Sequence, residues 1–125
     1  MALTARLQGA FERSAAASGI STSQARMLRV LGPGAPTINE LARQLELDKS
    51  SASGLVDRAE ARGLVRRVPS QRDRRSVRVR ASGPGRELAA GAAAQFASEL
   101  AEMLAPLSVA ERATFATIAA RLLGD

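Results

Sequence analysis

Nine arginines lie between Arg62 and Arg86, at positions 62, 66, 67, 72, 74, 75, 78, 80 and 86, with one acid, Asp73, among them. This fifth of the 125-residue chain carries +8, while the remainder sums to −2. A guanidinium is a planar fork of N–H donors that matches phosphate oxygens and the guanine edge, so the chemistry open to this run is recognition of a polyanion. The preference is chain-wide, since 17 of 18 basic residues are arginine and only Lys49 is lysine. With no Cys and no His, thiolate nucleophiles, disulfides, most zinc and haem sites and histidine acid–base chemistry are excluded. Ser, Asp, Glu and Arg form no visible set of nucleophile, base and oxyanion donors, so the expectation is a protein that is not an enzyme and uses no cofactor or metal. Glu99 and Glu102, three apart, read as a solvated helix face.

Such a charge run needs a scaffold, and the pattern around it supplies one. Leu64, Val65, Val68, Val77 and Val79 are interleaved with the arginines, as no disordered basic tail would be. After Gly63 the apolar period falls from about 3.6 to 2, which makes residues 64–69 and 76–81 a hairpin with a polar tip at 69–75. Before it come four helices. Leu3, Leu7 and Phe11 give the first, over 3–18, which Gly19 ends. Ser21 with Gln24 is a capping-box signature opening the second, which runs to Leu31 and the Gly32-Pro33-Gly34-Ala35-Pro36 break. Thr37 with Glu40 repeats the signature for a short third helix buried through Ile38, Leu41, Ala42 and Leu45. Asp48 caps the fourth, Lys49 to Arg62. After the hairpin, Ser82 and Pro84 start a long helix with a seam of Leu88, Ala92, Phe96, Leu100, Met103 and Leu104. Pro106 stops it, and Ser108 with Glu111 opens a last helix carrying Phe115, Ile118 and Leu122.

Length suits one domain. The apolar 46% is mostly alanine and leucine, with three Phe and no Trp or Tyr, so the core is expected to be small-residue helix packing. Phe11, Phe96, Met103 and Phe115 are read as core or dimer packing. No run reaches the roughly 20 apolar residues of a membrane span, and Arg6 and Glu12 interrupt the N-terminal pattern that a signal peptide would need, so a cytoplasmic protein without membrane contact is expected.

Two short helices joined by a tight turn, the second opening on Lys49, Ser50, Ser51 and Ser53, then a basic hairpin, are the parts of a winged helix-turn-helix. A helix about 10 to 12 Å across enters the DNA major groove, where its leading turn meets base edges and phosphates. Gly54 permits close approach, and arginines at the hairpin tip suit a narrow minor groove.

The sequence resembles the MarR family of bacterial transcriptional regulators. The resemblance runs from Thr37-Ile38-Asn39-Glu40-Leu41-Ala42 through Asp57-Arg58-Ala59-Glu60-Ala61-Arg62-Gly63-Leu64-Val65-Arg66-Arg67 to Asp73-Arg74-Arg75 and Val77-Arg78-Val79. It implies that Arg75 enters the minor groove and Asp73 helps hold the wing. It also implies a homodimer formed by the first and last helices, which sets two recognition helices on a pseudo-palindrome.

The expected fold is therefore mainly α: one domain over 1–125, with a winged helix-turn-helix core at 21–82, a two-stranded wing, and dimerisation helices at 1–20 and 83–125. The expected function is sequence-specific binding of double-stranded DNA and repression of transcription. DNA contacts fall to Lys49, Ser50, Ser51, Ser53, Gly54 and Arg58 on the recognition helix, and to Arg72, Asp73, Arg74 and Arg75 on the wing, with Thr37 as a phosphate anchor. The partners are duplex DNA, a second copy of the chain, and a small-molecule effector of unassigned chemistry. Two rivals use the same arginines: a degenerate winged helix binding an acidic protein, and an RNA binder, which would face the deep, narrow major groove of A-form RNA.

Overall fold

A computed structural model describes residues 2–70, 72 and 76–124. The chain forms α1 (Leu3–Ala17), α2 (Thr22–Leu31), α3 (Ile38–Leu45), α4 (Lys49–Ala61), β1 (Val65–Pro69), β2 (Val77–Ala81), α5 (Gly83–Leu104) and α6 (Val109–Leu123). Element order and type follow the apolar periodicities, and each strand begins one residue later than its pattern suggests.

Side-chain caps fix most helix starts. At α2, α3 and α6 the hydroxyl of Ser21, Thr37 or Ser108 accepts the backbone N–H three residues on. The side chain of Gln24, Glu40 or Glu111 accepts the cap residue's own N–H in return, which satisfies two orphan donors at each start. The turn from α3 to α4 carries no glycine. Glu46 instead takes the left-handed conformation at φ 56°, and the Leu47 N–H closes onto the Ala42 carbonyl at 2.9 Å.

The strands pair antiparallel in the register Val65↔Ala81, Arg66↔Arg80, Arg67↔Val79, Val68↔Arg78 and Pro69↔Val77. The free edge of β2 is covered by the segment before α3, where the Val79 N–H donates to the Pro36 carbonyl and Thr37 bridges Arg78. One face of the hairpin closes the core, burying Val65, Val79 and Ala81 with Met27, Leu28, Leu31, Leu41, Leu45, Leu55 and Val56. No phenylalanine is among the fully buried residues, and the core is built mainly of leucine and valine with alanine, isoleucine and methionine between them, bulkier than the small-residue packing expected from composition. Each such leucine is worth about 2–5 kcal/mol against alanine.

A tight joint ties the wing to α5. The Ser82 N–H donates to the Leu64 carbonyl at 2.9 Å, and its hydroxyl donates to the Gly63 carbonyl and accepts the Gly85 N–H. Gly85 is buried so close to β1 that a Cβ there would overlap the Leu64 carbonyl.

Beyond this joint α5 lies along α1. Phe11 meets Phe96 edge-on with ring centroids 5.9 Å apart, and Arg13 pairs with Glu99 at 2.6 Å. Glu99 is thus a cross-helix partner, in contrast to the solvated role its spacing suggests, because α1 brings a cation from 86 residues away. The phenylalanines also part company: Phe11 and Phe96 are half-buried, whereas Phe115 on α6 is exposed. None of the described side chains of α6 is buried. No helix among the described residues is long and apolar enough to cross a membrane.

Candidate nucleic-acid interface

The start of α4 projects a polar, exposed turn. Asp48 caps it, its carboxylate accepting the Ser51 N–H at 2.7 Å and the Ser51 hydroxyl at 2.9 Å. These bonds, the backbone one first, hold the Asp48 carboxyl below its usual range. The Ser51 hydroxyl proton is therefore spent on the cap, and its oxygen is left as an acceptor. Lys49 and Ser50 are exposed and Ser53 is half-buried at the helix flank. The space above Gly54 is taken by Arg58, whose guanidinium would lie 3.4 Å from a Cβ at 54. The glycine therefore makes room for an arginine one turn along the same face.

Lys49 shares a cleft of about 200 Å³ with Thr37, Asn39, Ser76 and Val77, so the starts of α3 and α4 and the base of the wing converge there. The Thr37 oxygen is occupied as an acceptor by the α3 cap, which leaves its hydroxyl proton free to donate. Asn39, a donor amide in the first turn of α3, belongs to this cleft and was not singled out from sequence. Its position two residues into a capping box is the signal that could have found it.

The arginines divide into those that hold the fold and those that do not. Arg62 donates to Gln24 and to the Gly19 carbonyl, both at 2.7 Å, and ties the end of α4 to the α1–α2 turn. Arg67 pairs with Asp57 at 2.6 Å and Glu60 at 2.8 Å, clamping β1 to α4, and the hydrogen bond to Asp57 chiefly raises its pKa. Arg86 donates to the Ala81 carbonyl. Arg66, Arg72 and Arg80 are exposed. Asp73, Arg74 and Arg75 lie outside the described residues.

A second, apolar cleft of about 460 Å³ opens between α1, α2 and α5, with Phe11, Leu28, Ala89 and Phe96 in its walls and Arg29 and Arg86 beside it. The Arg29 guanidinium stands 5.5 Å from the Phe11 ring centre. Phe11, packed against the core, and its ring partner Phe96 thus also form part of this cleft's wall.

The sequence model of the MarR family matches residues 18–76. No curated protein matches the chain significantly. Among solved structures, the chain is 27% identical to a MarR family protein from Bacillus stearothermophilus, with a TM-score of 0.89 over 98% of this chain and 86% of that one. A probable transcriptional regulator from Pseudomonas aeruginosa is 28% identical, with a TM-score of 0.69 over 96% and 93% of the two chains. Wild-type MarR of E. coli in its apo form shares the fold at 20% identity and a TM-score of 0.83, over 96% and 90%.

Proposed function

We propose that the chain is a MarR family member and a homodimeric transcriptional repressor that binds duplex DNA at a pseudo-palindromic operator, supported by the family model over residues 18–76 and the fold shared with a MarR family protein at 27% identity. In this reading α4 lies in the major groove of each half-site and the wing tip over the adjacent minor groove. The observation that carries it is the surface at the start of α4: an exposed Lys49 without an acidic partner among the described residues, in a cleft with Thr37 and the base of the wing. The positive end of the helix dipole adds to this attraction for phosphate. Ser50, Ser51 and Ser53 supply base-edge or phosphate contacts, Arg58 extends them over Gly54, and Arg72, Arg74 and Arg75 serve the minor groove with Asp73 as their support. Dimerisation is assigned to α6 with α1 and α5, since Val109, Phe115, Ile118 and Leu122 are apolar and exposed in the single chain. The cleft at Phe11 and Phe96 is the place for a small apolar effector, because it lies between the outer helices and the DNA-binding core.

The test is binding of wild type, Lys49→Gln and Arg74→Ala/Arg75→Ala to duplex flanking the chain's own gene and to unrelated duplex, across a salt series. The wild type is expected to prefer one sequence, with log K falling against log salt by about 0.9 per phosphate contacted. Each variant is expected to flatten that slope. Equal, salt-insensitive binding to both duplexes would overturn the reading.

A further inference from the structure

Within the first turn of α4 one hydroxyl has its hydrogen-bond polarity fixed. An ionised carboxylate carries no hydrogen, so the hydrogen in the 2.9 Å contact between Ser51 Oγ and Asp48 Oδ2 belongs to the serine. The other carboxylate oxygen accepts the Ser51 N–H at 2.7 Å, and the two bonds together hold the side chain in place. Ser51 is exposed, so what it turns to a ligand is an oxygen with lone pairs and nothing to donate. Its neighbours differ. Ser50 and Ser53 have no side-chain partner among the described residues and can turn to donate or accept. Thr37 is the converse case, its oxygen taken by the Glu40 N–H and its proton free. Lys49 has donors only.

This difference sorts the contacts that the interface can make. Phosphate oxygens are acceptors, so Lys49 and Thr37 suit them and Ser51 does not; the Asp48 charge beside it repels them further. The donors that a duplex presents in the major groove are the amino groups of cytosine and adenine. Every base pair holds one of them. An acceptor therefore does not separate G·C from A·T; it separates the strand that carries the amino base from the strand that carries the keto base. We propose that Ser51 is a specificity-determining residue: set as an acceptor by Asp48, it selects cytosine or adenine over guanine or thymine on one strand, at one position of each half-site. Asp48 acts through Ser51 as a positioning residue. This rests on the DNA reading above and sharpens it, since a serine hydroxyl free to rotate would bond base or backbone alike.

The test is enrichment of duplexes from a random-sequence pool by wild type, Ser51→Ala and Asp48→Asn, with thermal melting of each protein to verify its fold. Wild type is expected to favour the amino base at one position of each half-site by about fivefold, the worth of one hydrogen bond. Ser51→Ala keeps the backbone cap and should lose that preference alone, retaining the rest of the consensus. Asp48→Asn is the decisive variant. Its amide oxygen still accepts the Ser51 N–H, while its NH2 takes the place of Oδ2 and donates to Oγ, which turns the hydroxyl proton outward. The preference at that position should therefore invert to guanine or thymine, whose O6 or O4 replaces the amino group, a change that loss of stability does not produce. An unchanged consensus for both variants overturns the inference and leaves the DNA reading standing. So does a uniform loss of affinity in Ser51→Ala with a shallower salt slope, which marks Ser51 as a phosphate contact. Loss of the preference in Ser51→Ala without inversion in a folded Asp48→Asn overturns the assigned polarity. Failure of wild type to enrich any sequence overturns both readings.

Discussion

Asp48 is exposed at the start of α4 and serves the interface only indirectly, by keeping the first turn of α4 closed beneath Lys49 and Ser50. Its carboxyl is held below the usual range by the Ser51 N–H and hydroxyl, so the stabilisation is complete above the unfolded-state value of about 4 and disappears as pH falls through the lower folded value. Asp48→Asn keeps an equally good cap without the titration. It is expected to match wild type near neutrality and to melt with less dependence on pH below about 4, as thermal scans across an acid series would show. A steeper acid dependence in the variant would contradict this. The arginines show where sequence stops informing at this scale. Their positions could be counted, but Arg67 is neutralised by carboxylates seven and ten residues away, and Arg62 is engaged by groups 38 and 43 residues away. Which charges stay available to a ligand is a property of the packing.

At the scale of elements, the signals that could be read were local ones. Caps, apolar periods and the change to a period of two at Gly63 are written within a turn or two of residues, and they place all the helices and the hairpin. Glu46 escaped because nothing in its chemistry announces a left-handed residue; the three-residue turn between α3 and α4 imposes it. The closeness of Gly85 to Leu64 escaped for a similar reason, being a meeting of α5 with the start of β1. Gly85→Ala is expected to lower stability by about 1–3 kcal/mol, or more, because the new methyl meets backbone and not a side chain that can turn aside. Ser82→Ala should cost about 1 kcal/mol through the lost cap. Chemical denaturation midpoints would check both, and wild-type midpoints would remove the joint from the account.

For the whole molecule, the distribution of burial separates a packed centre from an arm. The core belongs to α2, α3, α4 and the hairpin, whereas α6 exposes Val109 at 82% and Leu122 at 83%. In the proposed homodimer this surface is covered by the second copy. Ile118→Glu/Leu122→Glu is expected to shift the sedimentation mass from two chains to one and to leave the unfolding of the core little changed, since neither side chain reaches it. A dimer mass retained by that variant would move the interface elsewhere. Sequence supplied the apolar spacing on α6, but spacing alone cannot separate a helix that meets its own core from one that waits for another chain. The joint at Ser82 and Gly85 gives this architecture a mechanical character. One residue separates β2 from a rigid rod of 22 residues, about 33 Å long, pinned to β1 at its near end. Wing and rod thus share one joint, about which a displacement of about 3 Å at the far end near Leu104 corresponds to a rotation of the rod by about 5°.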